Sequence, residues 1–167
     1  MGSKKEKAHG KVAARKKVCL ISSSGGHFEQ LLMLKPLETK HDVFVVTERT
    51  KYNRKDKNIN YRVTQVNRKE LLFIPKMLII AFKSLYIFVK ERPDVIISTG
   101  VLAVIPMIFL GHLFHKKVVY IESFAKISSP TMTGKLIYKK NWAGQFYVQW
   151  ESMKEFYPNA ICVGGIY

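Results

Sequence analysis

A chain of 167 residues, of which 47% are hydrophobic and 12% aromatic, is long and apolar enough to fill one folded domain and too short for two. Its 28 Lys and Arg against 12 Asp and Glu give a net charge of +16, which favours anionic partners: nucleic acid, acidic lipid headgroups or phosphorylated small molecules. The composition excludes a disordered or collagen-like chain.

Residues 1–17 hold seven Lys or Arg and one Glu. Residues 1–16 therefore read as a basic disordered leader and residues 17–167 as the domain. The first apolar run, Val18 to Ile21, is too short for a secretory signal. Cys19 and Cys162 lie in apolar, β-branched runs rather than in a CxxC pair, which suggests neither a disulfide framework nor a zinc site and fits a cytosolic setting.

In chain order, Lys17 to Ser22 predicts a strand stopped by Ser and Gly, and Phe28 to Leu34 a helix ending before Pro36. Asp42 to Thr47 and Tyr61 to Val66 predict two further strands, joined by a polar, Lys-rich stretch, Glu48 to Asn60, expected to be mobile. A long helix follows from Glu70 to Glu91, before Pro93. Asp94 to Ser98 reads as a strand buried on both faces, followed by a helical stretch to His115 and a strand at Val118 to Ile121. A helical GKLIYKKNW, a strand at Phe146 to Gln149, a short helix near Glu151 to Tyr157 and a strand at Ile161 to Val163 close the chain. Strands alternating with helices predict an α/β fold, a Rossmann-like doubly wound parallel sheet with its ligand site at the carboxyl ends of the strands. Val95 to Phe114 is 20 residues without a charged side chain, a membrane-spanning length, but Ser98, Thr99 and Gly100 break it into strand and helix.

Ser22-Ser23-Ser24-Gly25-Gly26-His27 falls between the first strand and its helix. Glycines let backbone amides approach an anion and the helix N-terminus adds partial positive charge, so phosphate or diphosphate is the natural guest; a capped tight turn explains the pattern equally well. His27 is placed either for proton transfer or as a capping or core histidine. Ser98-Thr99-Gly100 makes a second small-residue turn on the same predicted edge. Glu122 follows Val119-Tyr120-Ile121 there, where a carboxylate either accepts bonds from sugar hydroxyls, orients His27, or caps the next segment. His112 and His115 share a helix face, with no third metal ligand evident, so no metal site is assigned.

On the long helix, Lys69, Lys76, Lys83 and Lys90 recur every seven residues and form one stripe. Ile79 and Tyr86 flank it on one side and Ile80 and Ile87 on the other, while Leu71, Ile74, Leu78, Phe82, Leu85 and Val89 are expected to face the core. The stripe and its flanks, Lys76, Ile79, Ile80, Lys83, Tyr86, Ile87 and Lys90, are thus expected to lie in a membrane interface, lysines on phosphates; a helix packed against a second protein or simply well buried is the alternative.

With SSSGGHFEQL, RPDVIISTG, VVYIES, Thr133-Gly134-Lys135 and the ending FYVQWESMKEFYPNAICVGGIY in view, the chain resembles the acceptor-binding, membrane-associated subunit of two-subunit glycosyltransferases. Bacterial members serve capsule and exopolysaccharide synthesis. These subunits are similar in turn to the N-terminal half of MurG-type enzymes, so the resemblance implies the N-terminal half of a GT-B fold. It also implies that no cofactor is held by this chain, the UDP-sugar donor being bound by a catalytic partner subunit.

By the same resemblance, Ser24, Gly25, Gly26, Thr99 and Gly100 would meet the diphosphate of a polyprenyl-diphosphate-linked sugar acceptor, and His27 and Glu122 would serve the chemistry. The second glycine loop departs from the MurG-type pattern, with Ser98-Thr99-Gly100-Val101 where a run of glycines is usual. Trp150, Tyr157, Gly164, Gly165, Ile166 and Tyr167 would meet the partner. The expected place is the cytoplasmic face of a membrane, held peripherally on anionic lipid. The contrasting reading is a non-enzymatic basic α/β module binding nucleic acid, against which the aromatics do not interleave with basic residues as stacking platforms do.

Overall fold

The computed structural model describes residues 14–166. Seven parallel strands form one sheet in the order β3-β2-β1-β4-β5-β6-β7. The strands are β1 (Lys17–Ser22), β2 (Asp42–Glu48), β3 (Tyr61–Val63), β4 (Val95–Gly100), β5 (Lys117–Ile121), β6 (Gln145–Val148) and β7 (Ile161–Cys162). Four helices connect them: α1 (Gly26–Leu32), α2 (Phe73–Glu91), α3 (Ile105–Leu113) and α4 (Met132–Lys139). The expected doubly wound parallel sheet is present.

Side chains alternate across the pleat, and each set meets its own layer. Cys19, Ile21, Phe44, Val46, Ile96, Val118 and Tyr120 pack under α2, α3 and α4 through Ile80, Ile87, Met107, Ile108 and Ile137. Val18, Leu20, Val45, Val95, Val119 and Ile121 meet Phe28 and Leu31 of α1 on the other face. That second layer stops short, and a groove of about 390 Å³ opens over Val18, Val95, Ile97, Val119 and Tyr147.

Two expectations are corrected by the packing of α2. Ile80 and Ile87 have no exposed surface, so neither touches a membrane. Leu71, Ile74, Leu78, Phe82, Leu85 and Val89, expected in the core, are exposed instead, beside Ile79 and Tyr86. The lysine stripe marks the border between a buried and an exposed apolar face, and periodicity alone does not say which face the sheet covers. Phe109, Leu113 and Phe114 of α3 and its C-terminal end extend the exposed apolar surface, with Phe114 ring-to-ring against Phe88 at 5.2 Å.

The stretch expected to be mobile is tied down. Asn53 accepts from the Thr50 amide at 2.9 Å and donates to the Glu48 carbonyl at 2.7 Å. Arg62 donates to the carbonyls of Asn53, Asp56 and Ile59. The expected leader lies, for residues 1–13, outside the described residues; Arg15 within it is fixed by donating to the Glu38 and His41 carbonyls, both at 3.0 Å. No described helix is long and apolar enough to cross a membrane.

Candidate functional site

The sheet reverses its winding between β1 and β4, the crevice where α/β folds bind ligands. The turn from β1 into α1 brings Gly25, Gly26 and His27 to one side of it, and the end of β4 brings Thr99 and Gly100 to the other. The β1–β4 register slips here, from Ile21 opposite Ser98 to Ser22 opposite Gly100. The slip leaves Thr99 as the extra residue of a bulge, outside the ladder. Its carbonyl lies 2.8 Å from His27 Nδ1, and its hydroxyl donates to the His27 carbonyl at 2.7 Å. A carbonyl only accepts, so Nδ1 is the donor in this contact, and in the neutral ring Nε2 is the nitrogen with the lone pair.

Gly25 adopts φ 79°, and a Cβ at Gly25 or Gly26 would meet nothing within 4 Å, so the backbone that opens α1 stands clear for a ligand. Beside it, a cleft of about 660 Å³ is lined by Ser24, Gly25 and Glu29 on one wall and by Lys51, Tyr52, Asn53 and Gln65 on the other. The Lys51–Asn53 wall was hidden in sequence by its likeness to an ordinary charged loop.

The remaining expected contacts with an acceptor diphosphate are redirected. Ser24 donates through both amide and hydroxyl to Glu48 Oε2, at 3.1 and 3.2 Å, so neither proton faces a phosphate. Thr99 is fully buried with its hydroxyl engaged as above, and Gly100 is also buried, its carbonyl accepting from the Ser23 amide at 2.8 Å and its amide donating to Ser98 Oγ at 3.1 Å. A side chain at Gly100 would press on the Tyr120 hydroxyl at 2.9 Å. The second loop is the backing that shapes the first.

Glu48 was missed from sequence. It is 5% exposed, its Oε1 accepts from the Val66 amide at 3.2 Å, and it binds the glycine loop to the exit of β3. The signal was available, because Glu48 follows an apolar strand directly, as Glu122 does.

Glu122 makes no hydrogen bond to His27. Its carboxylate is 1% exposed and accepts from the Ser123 amide at 2.9 Å, the Thr131 amide at 3.3 Å and hydroxyl at 3.1 Å, and the Tyr157 hydroxyl at 2.6 Å. Thr131 in turn caps α4 by accepting from the Gly134 amide at 2.9 Å. Orientation of His27 therefore belongs to Thr99, and Glu122 joins β5 to α4 and to the segment after β6. Burial and the Glu122 carboxylate push the Tyr157 hydroxyl upward in pKa, so it remains a donor. Tyr157 is 1% exposed and so is not a surface for a partner.

Near the carboxyl end, Trp150 donates to the Phe124 carbonyl at 2.7 Å and packs tilted against its ring, centroids 4.9 Å apart, while Gly165 lies against the same ring. The Ile166 amide donates to Gln149 Oε1 at 3.1 Å. Gly164 and Gly165 are exposed, and Tyr167 lies outside the described residues. His112 and His115 are exposed, and among the described residues no three His, Cys, Asp or Glu side chains gather in metal-binding range.

The fold matches part of the solved structures of longer chains. MurG of Acinetobacter baumannii superposes with a TM-score of 0.65 at 18% identity, over 82% of this chain and 42% of that one. UDP-N-acetylglucosamine 2-epimerase of Rickettsia bellii superposes with a TM-score of 0.70 at 10% identity, over 92% and 46%. In sequence, the human UDP-N-acetylglucosamine transferase subunit ALG14 is 32% identical over 83 residues, and the mouse protein of the same name is 31% identical over 83 residues. The matched stretch is 46% of this chain but only 38% of the human and 37% of the mouse protein. Residues 47–166 match the family described as "Oligosaccharide biosynthesis protein Alg14 like", and the chain belongs to that family.

Proposed function

We propose that this chain is the acceptor-binding, membrane-recruiting subunit of an inverting glycosyltransferase that extends a polyprenyl-diphosphate-linked sugar, with the UDP-sugar held by a partner subunit. The observation that carries it is His27: held by Thr99 through Nδ1, which leaves Nε2 for a substrate, next to the open glycine backbone that itself lines a cleft large enough for a sugar. The acceptor diphosphate meets the amides that begin α1, and its sugar lies against the Lys51–Asn53 wall. His27 Nε2 takes the proton of the acceptor hydroxyl as its oxygen bonds to the sugar anomeric carbon; the bond from that carbon to UDP breaks, and UDP leaves with the electron pair.

The membrane part of this reading rests on the exposed apolar face of α2 and α3, bordered by Lys76, Lys83 and Lys90. Such a face seats in the interface of a bilayer with the lysines at phosphate level. Partner docking is assigned to Trp150 and the Gly164–Ile166 segment, next to the half-covered sheet face. The family match and the relatives' description as transferase subunits support a divided enzyme. A capsule or exopolysaccharide product, made at the cytoplasmic membrane face, is the setting we assign to it.

The test is a titration of the isolated chain followed by backbone amide resonances. A soluble short-chain polyprenyl diphosphate sugar should shift Gly25, Gly26 and His27, and UDP-N-acetylglucosamine should shift none. Shifts at the glycine loop from the UDP-sugar, with none from the acceptor, would overturn the assignment.

A further inference from the structure

At the β3 edge of the sheet, Arg49, Arg54 and Lys83 line a hollow of about 340 Å³ together with Asn60, Tyr61 and Arg62. Its frame is fixed. Arg62 is engaged with three carbonyls of the loop that carries Arg54, and the Arg49 amide donates to the Val63 carbonyl at 2.8 Å. Asn60 Oδ1 accepts from the Val45 amide at 2.8 Å, which leaves the Asn60 NH2 as a donor. Among the described residues, none of the ion pairs involves Arg49, Arg54 or Lys83. Glu91, which meets Tyr61 on the wall, is paired with Lys17 at 2.5 Å. Cations facing one concavity repel each other, and an anion between them removes that repulsion.

The basic hollow runs into an apolar one. Lys90 Nζ lies 5.3 Å from the Tyr61 ring centroid and 5.8 Å from that of Tyr86. It therefore joins the hollow that Tyr61 lines to a groove of Phe82, Leu85, Tyr86 and Val89. An anionic head and an apolar tail are wanted side by side.

We propose that the two hollows together bind one anionic phospholipid of the bilayer, its phosphate on Arg49, Arg54 and Lys83 and an acyl chain along Phe82, Leu85 and Val89. The proposal rests on the membrane reading of α2 and adds a discrete headgroup site to it. Nucleic acid or free phosphate would use the cations but leave the groove unfilled.

The experiment is co-sedimentation with vesicles of phosphatidylcholine alone and of phosphatidylcholine mixed with phosphatidylglycerol. Arg49→Gln/Arg54→Gln should reduce the preference for phosphatidylglycerol by about tenfold or more, since each basic residue at an anionic surface contributes roughly 1 kcal/mol. Lys139→Gln/Lys140→Gln, which removes equal charge from the end of α4, should reduce it less than about threefold. Equal losses from the two pairs, or none from the first, overturn the site. So does displacement of the chain from the mixed vesicles by inorganic phosphate at matched ionic strength, or single-stranded RNA binding that Arg49→Gln/Arg54→Gln abolishes. Phe82→Gln/Leu85→Gln should weaken binding to both vesicle types; if it does not, the membrane reading itself fails, independently of the headgroup site.

Discussion

His27 and Thr99 hold each other twice: the imidazole Nδ1 meets the Thr99 carbonyl at 2.8 Å, and the Thr99 hydroxyl donates to the His27 carbonyl at 2.7 Å. The start of α1 and the end of β4 are locked together at the point where the sheet offers a ligand crevice, and a one-residue bulge supplies the carbonyl. His27→Ala in the chain paired with its catalytic partner should lower kcat by about 100-fold or more, the scale of a lost general base. Thr99→Val keeps the carbonyl and loses only the hydroxyl, so its effect on kcat should stay below about tenfold, since it leaves the His27 tautomer unchanged. Equal losses from the two variants would mean that His27 only braces the loop.

Glu122 predicts a stability defect of its own. Glu122→Ala leaves the Thr131 and Tyr157 donors buried without a partner, at a cost of about 3–5 kcal/mol in urea unfolding. Tyr157→Phe removes one of the four donors and should cost about 1–3 kcal/mol while transfer per folded molecule persists. Gly134→Ala should destabilise as well, because a Cβ there would overlap the Glu122 carboxylate and press on the Tyr157 hydroxyl at 2.6 Å. Unchanged midpoints in all three would contradict a structural hub.

The two apolar faces of α2 respond oppositely to truncation. Ile80→Ala and Ile87→Ala should each cost about 2–5 kcal/mol, since both side chains are completely buried. Leu78→Ser and Phe82→Ser should change stability by less than about 0.5–1 kcal/mol, because each is more than half exposed. Thermal unfolding of the four variants checks the orientation of the helix.

Much of this was legible in sequence and some was not, for identifiable reasons. Strand runs such as Lys17–Ser22 announce themselves because burial on both faces demands continuous apolar side chains between Gly- and Pro-rich stops. The glycine loop and His27 were equally plain from their place after the first strand. The orientation of α2 was not, since a helix apolar on two sides has two solutions and only the contacts of Ile80, Ile87 and Phe88 select one. Glu48, Thr99 and Tyr157 were misjudged or missed because their partners lie 18 to 72 residues away in the chain, beyond any local pattern.

Glu91 gives stability a pH dependence. The Lys17 ammonium, and then the Tyr61 hydroxyl, hold its carboxyl below the ordinary value of 4.5. The unfolded chain takes up this proton first as pH falls, so the contribution is complete above about 4.5 and fades as pH drops through the lower folded value. Glu91→Gln should therefore cost about 1 kcal/mol near neutrality, with the gap to the parent chain closing in acid. A gap that stays constant down to about pH 2 in denaturant titrations would contradict the pairing.

The division of labour is tested most directly by sugar transfer from UDP-N-acetylglucosamine to a polyprenyl-diphosphate-linked sugar, using this chain alone, its co-purified catalytic partner alone, the pair, and the pair carrying His27→Ala. The pair should turn over, this chain alone should not, and His27→Ala should lower the rate by about 100-fold or more. Sustained transfer by this chain without a partner, or full activity of the pair carrying His27→Ala, would contradict that division.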